Sequence, residues 1–162
     1  MIFGNVLWLL DDNELGKSNL QERARSAYIP FERIRFVERV SHDVHLGRLA
    51  LTDLFLDTFP YGGHTSTSDA LWAGVPVLTR IGRAFQGRVA ASLLKALHLS
   101  ELVTHSESQY LALATRLGQN PQELAELKAR LAQLKATSPV FDASRFTRDL
   151  ESAMLEAVSR HE

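Results

Sequence analysis

Hydroxyl side chains and an aspartate are concentrated at the start of one predicted helix, directly after two glycines. The stretch reads GGHTSTSDALWAGVPVLT and covers residues 62–79. Gly62 and Gly63 let the backbone take positive φ and let a ligand come close to the backbone. The first amides of a helix have no partner inside it and lie at its positive end, where Thr65 and Ser66 add hydroxyl donors. The pattern therefore predicts an anion site suited to phosphate oxygens.

Asp69 extends this prediction from a phosphate to a nucleotide. It follows Thr65 by four residues, so it shares the same helical face one turn deeper. A carboxylate there can accept hydrogen bonds from sugar hydroxyls, with a pyrophosphate at the helix start and a ribose against Asp69. An ordinary capped helix stays open as an alternative, because Ser and Thr are common caps and Asp is common in a first turn. Neither a P-loop nor a G-x-G-x-x-G motif is present, which disfavours ATPases and dinucleotide dehydrogenases.

A second polar cluster lies upstream, in the segment HDVH at 42–45. His42 and His45 stand about one helical turn apart, a spacing that also suits a metal. With no third ligand evident and no thiolate in the chain, we favour a surface histidine pair and predict no metal. Arg48 follows His45 by three residues and can share its face, which indicates a polar edge able to recognise a base.

The composition excludes several classes of partner. Eighteen Lys and Arg against 19 Asp and Glu give a formal net charge of −1, so no global positive field attracts nucleic acid or an acidic membrane. Cysteine is absent, which fits a reducing or indifferent compartment. The apolar opening segment is too short to span a bilayer and lacks the features of a signal peptide. We expect a cytoplasmic protein.

Alternating strands and helices must position these side chains. Apolar runs predict strands at 5–10, 33–38, 54–57, 76–79 and 102–104, the first of them buried. Helical spacing covers 18–27, 41–52, 65–73, 85–99, 107–117, 121–136 and a terminal helix at 143–160. This order is typical of the α/β class, with a parallel sheet and flanking helices in one domain, 1–162. Ligands of such sheets bind beyond the carboxyl ends of the strands, here the loops 57–69 and 79–88. Trp8 and Trp72 are expected in the core.

Three segments carry a resemblance to a known family. LFLDTFPYGGHTSTSDALWAGVPVLT, then GRVAASLL, and SPVFDASRFTRDLESA near the end together resemble the catalytic region of the protein O-GlcNAc transferases, the SPINDLY-like glycosyltransferases. The resemblance implies a Rossmann-like, C-terminal, nucleotide-sugar-binding half of a GT-B glycosyltransferase with a helical C-terminus. It implies UDP-GlcNAc as the donor substrate, a protein Ser or Thr hydroxyl as the acceptor, and neither a cofactor nor a metal.

Donor-binding residues transfer by position onto the hydroxyl-rich helix start. His64, Thr65 and Ser66 match the family's His-Thr-Thr run at the donor phosphates, and Asp69 matches its ribose-contacting aspartate. By the resemblance, the helix start would bind the diphosphate of UDP.

Basic residues outside that helix also transfer. His45 and Arg48 match residues near the nucleotide base and diphosphate, and His42 stands where some members have Lys. Arg88 keeps the arginine of the family's SRVAAS segment, and with Gly63 and His42 it is a secondary candidate. The catalytic residues are unknown. The resemblance places them in an N-terminal half of the enzyme, and we expect this half and the TPR repeats to be absent from this chain.

These observations leave three functional hypotheses. The first is a fragment of a UDP-GlcNAc transferase with little activity alone. The second is a non-catalytic module that binds a UDP-sugar or assembles with a separately encoded N-terminal half. The third is a generic phosphate-binding α/β domain. Preference for UDP over ADP would separate the first two from the third.

Overall fold

A computed structural model describes residues 4–160 of the chain. Its backbone contacts divide into two compact units, one ending at Arg48 and the other beginning at Leu49. The assignment of 1–162 to one sugar-nucleotide-binding domain stays a prediction, and its first three and last two residues lie outside the described part.

The first unit contains a two-stranded parallel sheet and a capped helix. Its elements are β1 (Leu7–Leu10), α1 (Glu14–Ser26), β2 (Ile34–Val37) and most of α2 (His42–Leu49). β1 pairs with β2 in parallel, with Leu7 opposite Ile34. Asn13 caps α1 by accepting a hydrogen bond from the Gly16 amide at 2.8 Å.

The expectation that β1 is buried is wrong. Leu7, Trp8 and Leu10 are 43%, 39% and 41% exposed. β1 has one hydrogen-bonded neighbour, β2, and Ile34 is the residue of β2 that reaches the buried class. An apolar run therefore marked the strand correctly, although it did not determine what covers that strand.

The second unit contains a three-stranded parallel sheet in the order β3-β4-β5, with helices between successive strands. Its elements are β3 (Phe55–Leu56), α3 (Thr65–Trp72), β4 (Val77–Arg80), α4 (Val89–Ala96), β5 (Val103–Thr104), α5 (Glu107–Gln119), α6 (Pro121–Thr137) and α7 (Ala143–Ser159). The predicted α/β class with parallel strands is confirmed. The hydrogen-bonded strands of residues 4–160 form two sheets, where the sequence predicted one.

Gly74 ends α3. Gly74 adopts φ +82°, a left-handed conformation that glycine enters without steric penalty. The Gly74 amide donates to the Leu71 carbonyl at 3.1 Å, and the Val75 amide donates to the Ala70 carbonyl at 2.8 Å. These two bonds form a Schellman motif, which ends the helix and directs the chain into β4.

Leucines from several helices form the core beneath α3. Leu71, Leu94, Leu117 and Leu131 are fully buried in one apolar cluster. Trp72, the residue next to Leu71, lies outside it at 49% exposure, so its predicted core position is wrong. The Trp72 carbonyl accepts from Lys135 Nζ at 2.6 Å, and that ammonium lies 4.5 Å from the centre of the indole ring.

The terminal helix forms as predicted, as α7. Its N-cap is Asp142, which accepts from the Arg145 amide at 2.8 Å. None of its residues is buried, and its apolar side chains Phe146, Met154 and Leu155 are more than half exposed. Within residues 4–160, none of the helices combines the length and apolar character that crossing a bilayer requires.

Candidate functional site

A buried carboxylate organises the loop between β3 and α3. Asp57 is 3% exposed. Its Oδ1 accepts from the amides of Gly63 at 2.6 Å and Thr58 at 3.0 Å, and its Oδ2 accepts from Thr79 Oγ1 at 2.6 Å. Asp57 was not among the candidate site residues. An acidic residue at the end of an apolar strand was the available signal, because such a position is buried and must be satisfied by hydrogen bonds.

In this loop the two glycines matter because they leave room for neighbouring atoms, and not because they adopt positive φ. Within the described residues, only Gly4 and Gly74 among the glycines have positive φ, so Gly62 and Gly63 do not use the conformation that glycine permits. A Cβ at Gly63 would lie 2.7 Å from both Ser66 Oγ and Thr67 Oγ1. Glycine is required because the first-turn hydroxyls occupy the space where a side chain would begin.

The amides of both glycines also donate hydrogen bonds within the protein. The Gly62 amide donates to the Gln86 carbonyl at 3.1 Å, and the Gly63 amide donates to Asp57. A ligand at this loop therefore meets donors other than these two amides.

The start of α3 supplies such donors. Its N-cap, His64, makes no side-chain capping bond. The amides of Thr65, Ser66 and Thr67 donate no hydrogen bond to any other residue in the range 4–160. Thr67 is buried and its hydroxyl donates to the Gly63 carbonyl at 2.9 Å, whereas Thr65 and Ser66 are exposed. The helix thus presents unpaired amides beside two accessible hydroxyls, as an anion site requires.

His64 is held between aromatic rings. It stacks on Tyr61 at 5.4 Å between ring centres and meets the edge of Phe85 at 5.7 Å. Its Nε2 lies 3.3 Å from the Gln86 carbonyl oxygen, which joins the loop before α3 to the loop after β4. The sequence singled out His64 without its aromatic neighbours, because their contact depends on how two separate loops fold together.

An open depression of about 460 Å³ adjoins the second of these loops. Arg80, Arg83 and His105 contribute basic groups to its lining. The Arg80 guanidinium lies 3.6 Å from the centre of the Phe59 ring and 3.5 Å from a carboxylate oxygen of Glu107. Arg80 is thereby fixed at the end of β4, beside the loop that carries Gln86.

The remaining predicted site residues are distributed over both units. Arg48 in the first unit donates to the Glu38 carbonyl at 2.9 Å, and its Nη2 lies 3.4 Å from His45 Nδ1, which confirms that the two share a helical face. His42 is exposed on the same helix. In the second unit, Asp69 is half-buried on α3, and Arg88 is exposed at the N-cap of α4. No group of three or more His, Asp or Glu side chains within residues 4–160 is placed to hold a metal ion.

Tyr110 gives the loop a testable dependence on pH. Its hydroxyl donates to the Asp57 carbonyl at 2.9 Å, and burial, with the Asp57 charge as a smaller cause, raises the pKa of Tyr110 from 10.0 to about 12. Neutral Tyr110 therefore contributes stability that is fully present below pH 10 and is lost as the pH rises through about 12.

We expect Tyr110→Phe to unfold more readily than the wild type at pH 8, and the difference to shrink above pH 10. Urea unfolding across this range measures it, and a constant difference would contradict the assignment.

A family model links this geometry to known proteins. The model for glycosyl transferase family 41 matches residues 2–150. The chain belongs to glycosyltransferase family 41. Together with the two relatives and the solved structure that follow, this match confirms the resemblance to the O-GlcNAc transferases that three sequence segments carry.

Two curated relatives show the range of this similarity. A probable UDP-N-acetylglucosamine--peptide N-acetylglucosaminyltransferase SPINDLY of Oryza sativa subsp. japonica is 44% identical over 114 residues, which cover 70% of this chain and 12% of the relative. The UDP-N-acetylglucosamine--peptide N-acetylglucosaminyltransferase of Caenorhabditis elegans is 31% identical over 158 residues, 98% of this chain and 14% of the relative. The family 41 chain thus spans 14% or less of either relative.

A solved structure shows the same fold. A mutant of the O-GlcNAc transferase of Thermobaculum terrenum matches with a TM-score of 0.83 and 30% identity. The match covers 92% of this chain and 29% of that one. The α/β architecture derived from the strand and helix pattern is therefore shared with an O-GlcNAc transferase.

Proposed function

We propose that this chain forms the donor-binding part of a family 41 glycosyltransferase, with the start of α3 binding the diphosphate of UDP-GlcNAc. The observation that carries the proposal is the uncapped helix start, where unpaired amides of residues 65–67 stand beside the exposed hydroxyls of Thr65 and Ser66. A diphosphate offers several charged oxygens that can accept hydrogen bonds from these donors. The curated relatives are named for UDP-N-acetylglucosamine as donor and peptide as acceptor.

The proposed reaction transfers N-acetylglucosamine to a protein Ser or Thr hydroxyl. The hydroxyl oxygen attacks the anomeric carbon, the bond from that carbon to the β-phosphate oxygen breaks, and UDP leaves with the electron pair. The hydroxyl proton passes to a base for which we assign no residue. Negative charge grows on the leaving diphosphate, and the preorganised donors at the start of α3 stabilise it. Asp69, one turn deeper, is the proposed acceptor for the ribose hydroxyls.

Metal independence is part of the proposal. Helix amides and hydroxyls are proposed to neutralise the diphosphate charge that a divalent cation neutralises elsewhere, so UDP binding should persist in the presence of a chelator.

The proposed compartment is the cytoplasm, which suits a chain without cysteine.

Replacing both exposed hydroxyls should weaken donor binding. The double variant Thr65→Val and Ser66→Val is expected to lose about 1–3 kcal/mol of UDP binding free energy, because hydrogen bonds to a charged group are lost. Calorimetry measures the loss. Ser144→Val with Thr147→Val, two exposed hydroxyl residues near the start of α7, serves as the matched control and should leave UDP affinity unchanged. Unchanged affinity in the Thr65 and Ser66 variant would overturn the assignment.

The same titrations separate the competing functions. UDP and UDP-GlcNAc should bind more tightly than ADP or NAD, and equal affinities would instead indicate a generic phosphate site. Turnover of UDP-GlcNAc with a peptide acceptor supports the transferase, whereas donor binding without turnover supports a non-catalytic module.

Asp69 offers a test of the ribose contact. Asp69→Ala is expected to reduce affinity for UDP while barely changing affinity for inorganic pyrophosphate, because pyrophosphate has no ribose. Parallel titrations with the two ligands provide the measurement and its internal control. Equal losses for both would identify Asp69 as a residue that stabilises the first turns of the helix.

A further inference from the structure

Asp57 is almost fully buried although it lies in a loop. Its carboxylate is 3% exposed, and a buried charge is costly unless hydrogen bonds satisfy it. Three donors do so, namely the amides of Gly63 and Thr58 and the Thr79 hydroxyl. A neutral side chain would avoid the cost of burying a charge. Because the buried charge is costly, the role of Asp57 must lie in the hydrogen bonds that its carboxylate accepts.

One of these bonds reaches the residue before the N-cap of α3. The Gly63 amide donates to Asp57 Oδ1 at 2.6 Å, while the Gly63 carbonyl accepts from the Thr67 hydroxyl at 2.9 Å. Gly63 is thereby fixed through both its N–H and its C=O. The amides of residues 65–67, which follow after His64, keep no acceptor within residues 4–160.

Two further bonds connect Asp57 to β4 and to α5. Thr79 on β4 donates to Asp57 Oδ2, and the Thr79 carbonyl accepts from Thr104 on β5 at 2.9 Å. Tyr110 on α5 donates to the Asp57 carbonyl. Asp57 therefore connects the rigid strand ends to the loop that begins α3.

We propose that Asp57 is a positioning residue for donor binding: its carboxylate holds Gly63 so that α3 begins with its amides and the Ser66 hydroxyl available to the diphosphate. This inference rests on the proposed function of that helix start. Asp57 contacts Gly63 and not the donor. Its negative charge opposes a bound diphosphate, so its role is geometric.

Two substitutions separate geometry from charge. In Asp57→Asn the side-chain oxygen can still accept from the Gly63 and Thr58 amides, and the amide NH₂ can donate to the Thr79 hydroxyl, which is also an acceptor. The two bonds from the backbone amides stay, the bond with Thr79 is reversed in direction, and the charge is lost. In Asp57→Glu the charge stays, and the extra methylene moves the carboxylate away from the Gly63 amide.

Calorimetry with UDP is the test, on chains shown to be folded by circular dichroism. Asp57→Glu should bind UDP about tenfold more weakly or worse, because one tenfold step corresponds to the loss of about one good hydrogen bond to a charged group. Asp57→Asn should rescue binding to within about threefold of the wild type, a difference of under 1 kcal/mol. Leu131→Ala, a buried change in α6, is the control: it should lower the melting temperature and leave UDP affinity intact. Asp57→Ala replaces Asp57→Glu if the latter does not fold.

The outcomes distinguish the inference from the proposed function. A wild-type chain that does not bind UDP overturns the proposed function, and the inference with it. A wild-type chain that binds UDP, together with an Asp57→Glu variant of equal affinity, overturns the inference alone. Asp57→Asn as weak as Asp57→Glu would also overturn it, since keeping the hydrogen bonds to the Gly63 and Thr58 amides would then not keep UDP binding.

Discussion

Gly63→Ala is expected to bind UDP at least about tenfold more weakly than the wild type, a loss of about 1.4 kcal/mol. The added Cβ would lie 2.7 Å from Ser66 Oγ and Thr67 Oγ1, and 3.2 Å from Asp57 Oδ1. The Ser66 side chain can rotate away, but its hydroxyl then leaves the position from which it is proposed to donate to the diphosphate. Thr67 is fully buried and bonded to the Gly63 carbonyl, so its displacement should also destabilise the fold by about 1–3 kcal/mol.

Gly16→Ala is the matched control for this change. Gly16 lies in α1, where an added Cβ would meet its nearest atom, Asn13 Oδ1, at an ordinary 3.6 Å. Alanine is favoured over glycine inside helices by up to about 1 kcal/mol, so this variant should be as stable as the wild type or more so. UDP calorimetry and urea unfolding measure both variants. Wild-type affinity and stability in Gly63→Ala would contradict the crowded arrangement at the start of α3.

The sequence predicted α3 well because local residues specify both of its ends. Thr65 and Ser66 lie at its start, although the N-cap itself is His64 and makes no capping bond, and Gly74 supplies the left-handed conformation at its end. The structure has the helix at Thr65–Trp72 and the Schellman bonds around Gly74. Information of this kind lies within a few residues of the element it specifies.

Contacts distant in sequence were not predictable in this way. Asp57 meets Thr79, and His64 meets Phe85, through pairings set by strand order and by the fold of two loops. The burial of β1 likewise depends on what lies against it, and apolar residues alone predicted it incorrectly. The helix start of the candidate site was therefore predictable from nearby residues, whereas the contacts of Asp57 were visible only in the structure.

Leu71→Ala is expected to lower the free energy of unfolding by about 2–5 kcal/mol, the cost of removing a buried leucine side chain and leaving a cavity. Leu71 is fully buried, and its helix begins at the proposed diphosphate site. Leu111→Ala on α5 is the matched control, because Leu111 is 57% exposed and its truncation should cost less than about 0.5 kcal/mol. Urea unfolding monitored by circular dichroism measures both.

The UDP affinity of the folded Leu71→Ala variant distinguishes the two ends of α3. Leu71 belongs to the apolar cluster, whereas the unpaired amides lie at residues 65–67 and are held through Gly63 and Asp57. Loss of stability without loss of affinity is therefore expected, measured at a temperature where the variant is fully folded. An unfolding free energy no lower than that of Leu111→Ala would show that Leu71 does not anchor the helix. A UDP affinity that falls with stability would show that the core, rather than Asp57, sets the geometry of the helix start.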